Sequence, residues 1–125
     1  MTIIFDATND KTRTPIIQSK IRLGKSEFRT NWGLYGTEDW LNNLRKDGLI
    51  ISLNGEITNL LMTGHNDFPE FEMETDEGIF RFERLGAENK YQIGKIIKVE
   101  AIKGKYIMHI SGFEDNLTPV RIEIE

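Results

Sequence analysis

The chain contains no cysteine, and several familiar catalytic motifs are also missing. Without cysteine there is no disulfide framework, no zinc site built on thiolates and no cysteine nucleophile. Neither GxGxxG nor GxxxxGK followed by Ser or Thr occurs, so the glycines form no recognised phosphate-binding loop. None of the four serines lies in a GxSxG or an SxxK arrangement. Nucleophilic catalysis therefore has no support in the sequence.

Long apolar runs are absent as well, and nothing approaches the roughly 20 apolar residues that a membrane-spanning helix needs. The first residues, MTIIFDATNDKTR, lack a basic segment followed by an apolar one. We therefore expect no membrane association and a cytoplasmic location. No stretch rich in Pro, Gly or Ser divides the 125 residues, which predict a single β-rich domain spanning residues 1–125.

Basic residues are fewer than acidic ones: the chain has 16 Lys and Arg and 20 Asp and Glu, which gives a net charge of −4. This balance makes direct nucleic-acid binding unfavourable, because such binding draws on Lys and Arg that neutralise phosphates. Residues 1–48 hold eight basic and six acidic side chains, whereas residues 49–125 hold eight and fourteen. The second part of the chain therefore favours a basic partner.

The segment of residues 70–83 is the most informative part of the sequence. Less polar residues recur at every second position and charged residues fill the alternate ones, which is the period of a half-buried strand. The less polar set is Phe71, Met73, Thr75, Phe80 and Phe82, and the charged set is Glu70, Glu72, Glu74, Arg81 and Glu83. This pattern predicts a β-hairpin with a two-residue turn at either Asp76-Glu77 or Glu77-Gly78, and either turn places Arg81 opposite a glutamate.

Further strand patterns occur along most of the chain. They cover residues 2–6, a segment starting near Ile16 after Pro15, and residues 28–32, 49–53, 56–62, 96–102, 105–110 and 120–124. Asn54-Gly55 and Lys103-Gly104 are interpreted as hairpin turns. The sequence thus predicts a mainly β fold, an antiparallel β-sandwich or barrel of about eight to ten short strands. The alternative is an α+β fold with a helix packed on one antiparallel sheet.

One helix is predicted, over residues of about 38–47. Thr37 can cap its free N–H groups, and Gly48 suits the left-handed position after the last turn. Trp40, Leu41 and Leu44 share one face of this helix, which is about three turns long and needs the sheet beneath it.

The chain has two histidines, His65 and His109, and any histidine-based active site must use one of them. His65 and Asp67 could orient a proton shuttle, or could approach His109 and a glutamate to bind a metal ion. Gly64-His65-Asn66-Asp67 also has the composition of an ordinary turn, and alternation favours a surface position for His109. The sequence therefore predicts no catalytic residue, no metal and no cofactor.

Charged and aromatic residues supply the candidate binding site. Glu70, Glu72 and Glu74 lie about 7 Å apart along one strand face, a spacing compatible with glycoside hydrolysis but more typical of a solvated acidic surface. Trp32 and Tyr35 surround a glycine-containing break and could anchor a ligand or a partner. The predicted partner-binding set is Glu70, Glu72, Glu74, Asp76, Glu77, Trp32 and Tyr35.

These observations favour a non-catalytic protein-binding module that occludes its partner, in the manner of immunity proteins or phage-encoded inhibitors. Its acidic strand face would meet a basic protein surface. One alternative is a β-domain that binds a carbohydrate or another small ligand through Trp32 and Tyr35. Another is a structural subunit of an oligomeric assembly.

Overall fold

The computed structural model of the chain describes residues 1–63, 68–112 and 114–125. Its described part contains six β-strands and three α-helices, with a 3-10 turn at Glu88–Lys90. Their bounds in chain order are β1 Thr2–Asp6, α1 Arg13–Arg22, α2 Glu38–Lys46, β2 Ile50–Thr63, β3 Phe68–Thr75, β4 Gly78–Glu83, β5 Ile96–Lys103, α3 Gly104–Ile107 and β6 Leu117–Ile124.

The six strands form one antiparallel sheet in the order β1-β6-β5-β2-β3-β4. The prediction of a mainly β, antiparallel fold is confirmed. The sheet is single and does not close into a barrel, so it matches the alternative of a helix with one antiparallel sheet. Six strands replace the eight to ten expected, because two predicted strands are parts of one long strand, two others are helical and residues 28–32 form only an isolated bridge.

The long strand is β2, and it overturns the predicted hairpin turn at Asn54-Gly55. Asn54 pairs with Lys98 of β5, and Glu56 pairs with both Ile96 of β5 and Glu74 of β3. A Cβ on Gly55 would collide with the carbonyl oxygen of Glu74. Gly55 therefore permits a close approach of β3 inside a strand, which is the other role that glycine takes in sheets.

The strand predicted near Ile16 is wrong, because this segment is helix α1. The Asp10 carboxylate accepts hydrogen bonds from the N–H groups of Arg13 and Thr14, at 2.7 and 2.9 Å. Pro15 lies in the first turn, where a missing N–H costs no helical hydrogen bond. Pro15 therefore marks the start of a helix and not an edge strand or the entry to a strand.

The hairpin predicted around Lys103-Gly104 is also wrong. β5 forms as expected, but the next four residues are helix α3. The N–H of Gly104 donates to the carbonyl of Asn116 at 2.6 Å, which ties α3 to the loop before β6. Residues 28–32 form no strand either, since only an isolated bridge between Phe28 and Met108 occurs there.

Helix α2 confirms the predicted helix. The Thr37 hydroxyl accepts a hydrogen bond from the Trp40 N–H at 3.2 Å, and Gly48 adopts a φ of 69° after the helix ends. Trp40, Leu41 and Leu44 are buried in the core. Sheet residues complete this core, among them Leu53, Ile57, Phe71, Met73, Ile97, Val99, Val120, Ile122 and Ile124.

The sheet curls so that its two ends approach each other. β1 and β4 stand at opposite ends of the strand order. Yet a Cβ on Gly86, which follows β4, would collide with the carbonyl oxygen of Ile4 in β1. This contact places the segment that follows β4 against β1, so the two ends of the sheet lie near each other.

Candidate functional site

The first candidate site is an acidic surface on one side of β2, β3 and β4. The pairings Glu56 with Glu74 and Glu70 with Glu83 join glutamates on neighbouring strands. Residues that pair directly across an antiparallel sheet project to the same side, and positions i and i+2 of a strand share that side. We call this surface the acidic face and define it by Glu56, Glu70, Glu72, Glu74 and Glu83.

Two arginines interrupt the negative charge of the acidic face. Arg81 pairs with Glu72 at 3.1 Å, which confirms the predicted position of Arg81 opposite a glutamate. Arg13 of α1 pairs with Glu83 at 2.7 Å. Glu56 and Glu74 form no ion pair with any described residue, and both are exposed. The acidic face therefore keeps a net negative charge.

Asp76 and Glu77 form the two-residue turn between β3 and β4, and both are exposed. The Thr75 hydroxyl accepts a hydrogen bond from the Glu77 N–H and donates one to the Gly78 carbonyl, each at 3.0 Å. These bonds fix the turn, so that its two carboxylates extend the acidic face beyond the strand ends.

Trp32 and Tyr35 are held by contacts within the protein. The Trp32 indole N–H donates to the Asp47 carboxylate at 2.7 Å, and its ring meets the edge of Tyr106. Tyr35 is buried between Phe28 and Trp40, with ring centroids 5.1 and 4.7 Å away. Burial raises the pKa of Tyr35 to about 12, because the phenolate would lose its hydration. Their role as partner anchors stays a prediction.

The second candidate site is a cleft of about 490 Å³ beside β4. Aromatic and aliphatic side chains line its interior, namely Phe5, Ile17, Phe28, Tyr35, Phe80, Phe82 and Leu85. Residues 115–119, before and at the start of β6, form the opposite wall. Glu70, Arg81, the Arg13–Glu83 pair and Asp115 supply charge to the lining. Of the predicted site residues, only Tyr35 and Glu70 line this cleft.

Sequence reasoning missed the cleft because its walls lie far apart along the chain. Arg13 and Ile17 come from α1, which was expected to be a strand. The alternation of Phe80 and Phe82 indicated a buried face, but nothing local indicated that Asn116 and Leu117 would lie opposite them. The available signal was the acidic strand face of Glu70, Glu72 and Glu74, because charged side chains protect a sheet edge from pairing with other chains.

The histidine hypotheses receive no metal site from the described residues. His65 and Asp67 lie outside the residues that the structure describes. His109 is exposed, and its Nε2 lies 2.9 Å from a carboxylate oxygen of Glu27. Within residues 1–63, 68–112 and 114–125, no group of three or more His, Asp or Glu side chains could hold a metal ion. A helix long and apolar enough to span a membrane is likewise absent from these residues.

Comparison of the sequence with protein-family models found no match, and a search of curated proteins found none either. Function is therefore inferred from the residues and geometry of this chain alone.

Proposed function

We propose that the protein is a non-catalytic binding module that occludes a basic protein partner with its acidic face. The observation that carries this proposal is the cross-strand clustering of five glutamates over three adjacent strands. Hydrogen-bonded strands hold these side chains at fixed spacing, so the charge pattern is preorganised. Such a surface speeds association with a cationic partner and selects against acidic ones.

Several features support binding to a basic partner. Glu56 and Glu74 are exposed to solvent and form no ion pair with a described residue, so both carboxylates are open to a partner. The two arginines within reach, Arg13 and Arg81, engage Glu83 and Glu72 at the edge strand. The open carboxylates therefore suit ion pairs with Lys or Arg of a partner. An inhibitor of the immunity or phage-encoded type is the functional class that we propose.

The test compares two variants with the same change in net charge. Glu56→Lys with Glu74→Lys reverses the two exposed glutamates of the acidic face and keeps a like-charge pair, so the effect on folding is small. Glu27→Lys with Glu114→Lys places the same charges on exposed positions elsewhere. A partner is first identified by cross-linking to the purified wild-type chain, and its Kd is then measured for each form over a range of salt.

We expect the first variant to bind at least about tenfold more weakly and to lose most of the salt dependence, because close charge pairs dominate such contacts. The second variant should bind like the wild type. Equal losses in both variants would point to non-specific attraction, and unchanged binding of the first would reject the acidic face as the site.

A further inference from the structure

The edge of β4 is free along the cleft. β4 is the last strand of the sheet and pairs with β3 alone. Within the described part of the chain, no other backbone hydrogen bond involves residues 79–83. Four consecutive residues of β4, from Phe80 to Glu83, line the cleft. Since side chains alternate between the two sides of a strand, a cavity that touches four in a row faces the backbone edge.

A second free edge forms the opposite wall. β1 pairs with β6 only as far as Arg121, and the Ala7 N–H adds one bond to the Val120 carbonyl. Leu117, Thr118 and Pro119 lie beyond this point and pair with β5 alone in the described structure. The unpaired N–H and C=O groups of a strand edge can bond a further strand, and most proteins protect such edges from other chains.

The chemistry between the edges favours an apolar and basic occupant. Phe28, Phe80 and Phe82 offer aromatic surface to alternate side chains of an inserted segment. Glu70 and Asp115 also line the cleft, and neither forms an ion pair with another described residue. The arginines of the lining are already paired with Glu83 and Glu72. After these ion pairs are counted, the carboxylates of Glu70 and Asp115 give the cleft a net negative charge.

We propose that the cleft binds an extended segment of a partner protein, which adds to the free edge of β4 as a further strand. Alternate side chains of this segment enter the aromatic lining, and a Lys or Arg beside them pairs with Glu70 and Asp115. The cleft shares Glu70 and Glu83 with the acidic face, but Glu56 and Glu74 do not line it. Variants at Glu56 and Glu74 therefore test the acidic face, and the free edge of β4 tests this proposal.

The first experiment selects phage-displayed random peptides about twelve residues long, enough to span β4, on the purified protein. We expect enriched sequences with alternating apolar residues and at least one Lys or Arg. Synthetic copies of the enriched peptides should protect the amides of residues 79–83 from hydrogen exchange. Failure to enrich any peptide, enrichment of acidic peptides, or protection confined to other strands would overturn the proposal.

Backbone methylation then separates strand addition from simple side-chain binding. Methyl groups on alternate peptide nitrogens along one edge of the peptide block hydrogen bonds to β4 and leave every side chain in place. One of the two alternate patterns should abolish binding. If both methylated peptides bind as tightly as the parent, the segment does not add as a strand and the proposal is wrong.

The charge contribution is tested with Glu70→Gln combined with Asp115→Asn. We expect the Kd of the selected peptide to rise roughly three- to tenfold, as for the loss of two exposed ion pairs. Glu56→Gln with Glu74→Gln removes the same charge from outside the cleft and should leave the Kd unchanged. An equal rise for both variants would contradict a site within the cleft.

A second copy of this chain is the competing occupant. Protection of residues 79–83 that grows with protein concentration, without peptide, would assign the β4 edge to self-association and overturn the proposal. A monomer at all concentrations, with peptide-dependent protection of those residues, supports it.

Discussion

The two longer helices, α1 and α2, are attached to the sheet in different ways. α2 buries Trp40, Leu41 and Leu44, whereas α1 buries only Thr14 completely. α1 packs only the half-buried Ile17 and Ile21 against the core and adds polar contacts. The Thr14 hydroxyl donates to the Ala7 carbonyl at 2.7 Å, and the Gln18 amide donates to the Tyr35 carbonyl at 2.8 Å. Full apolar burial fixes α2 in the core, whereas partial apolar packing and directional bonds together hold α1 at the wall of the cleft.

Truncation of an apolar residue in each helix should give the largest contrast. Leu44 is fully buried, and Leu44→Ala should lower the free energy of unfolding by about 2–5 kcal/mol through lost burial and a cavity. Ile16 in α1 is 55% exposed, and Ile16→Ala should change it by less than about 0.5 kcal/mol. Urea unfolding followed by tryptophan fluorescence measures both. Similar losses would show that an exposed position of α1 contributes as much to stability as a buried position of α2.

Loss of one buried hydroxyl should affect α1 to an intermediate degree. Thr14→Val keeps the shape of the side chain but leaves the Ala7 carbonyl without its donor, at a cost of about 1–3 kcal/mol. Thr14→Ser retains the hydroxyl and removes only a methyl group. Thermal and urea unfolding measure the free energy of unfolding of both variants and of the wild type. If the valine variant is as stable as the serine variant, the hydrogen bond does not hold α1.

The ion pair between α1 and β4 should have the smallest effect. Arg13 and Glu83 are partly exposed, so water screens their attraction. Arg13→Gln, Glu83→Gln and the double variant should give a coupling energy below about 1 kcal/mol that decreases with added salt. A double-mutant cycle on unfolding free energies measures this coupling. A larger, salt-independent value would place the pair among the main contacts of α1.

The same contrast explains how much of the fold was predictable. α2 carries its signals locally, in the Thr37 cap, the apolar face and Gly48, and so does the hairpin whose glutamates alternate with Phe71 and Met73. α1 has a weaker apolar pattern, in the half-buried Ile17 and Ile21. Its local start signals are Asp10 and Pro15, and its contacts with Ala7 and Tyr35 are made only in the folded chain.

Turn signals failed where distant strands decided the structure. Asn54-Gly55 is a strong hairpin pattern, but pairing with β5, about 40 residues later, keeps β2 extended through it. The glutamates of the acidic face were predictable because a strand period fixes their common side. Glu56 was not, because its place opposite Glu74 depends on the register of β2 and β3.

One strand joins the two parts of the sheet. β2 pairs with β5 through residues 50–56 and with β3 through residues 56–63. The two pairings share only Glu56, so loss of β3 from residues 56–63 leaves residues 50–56 bonded to β5. Heat, denaturant or mechanical tension should therefore peel the β3–β4 hairpin from the sheet while β1, β6 and β5 keep their hydrogen bonds to one another.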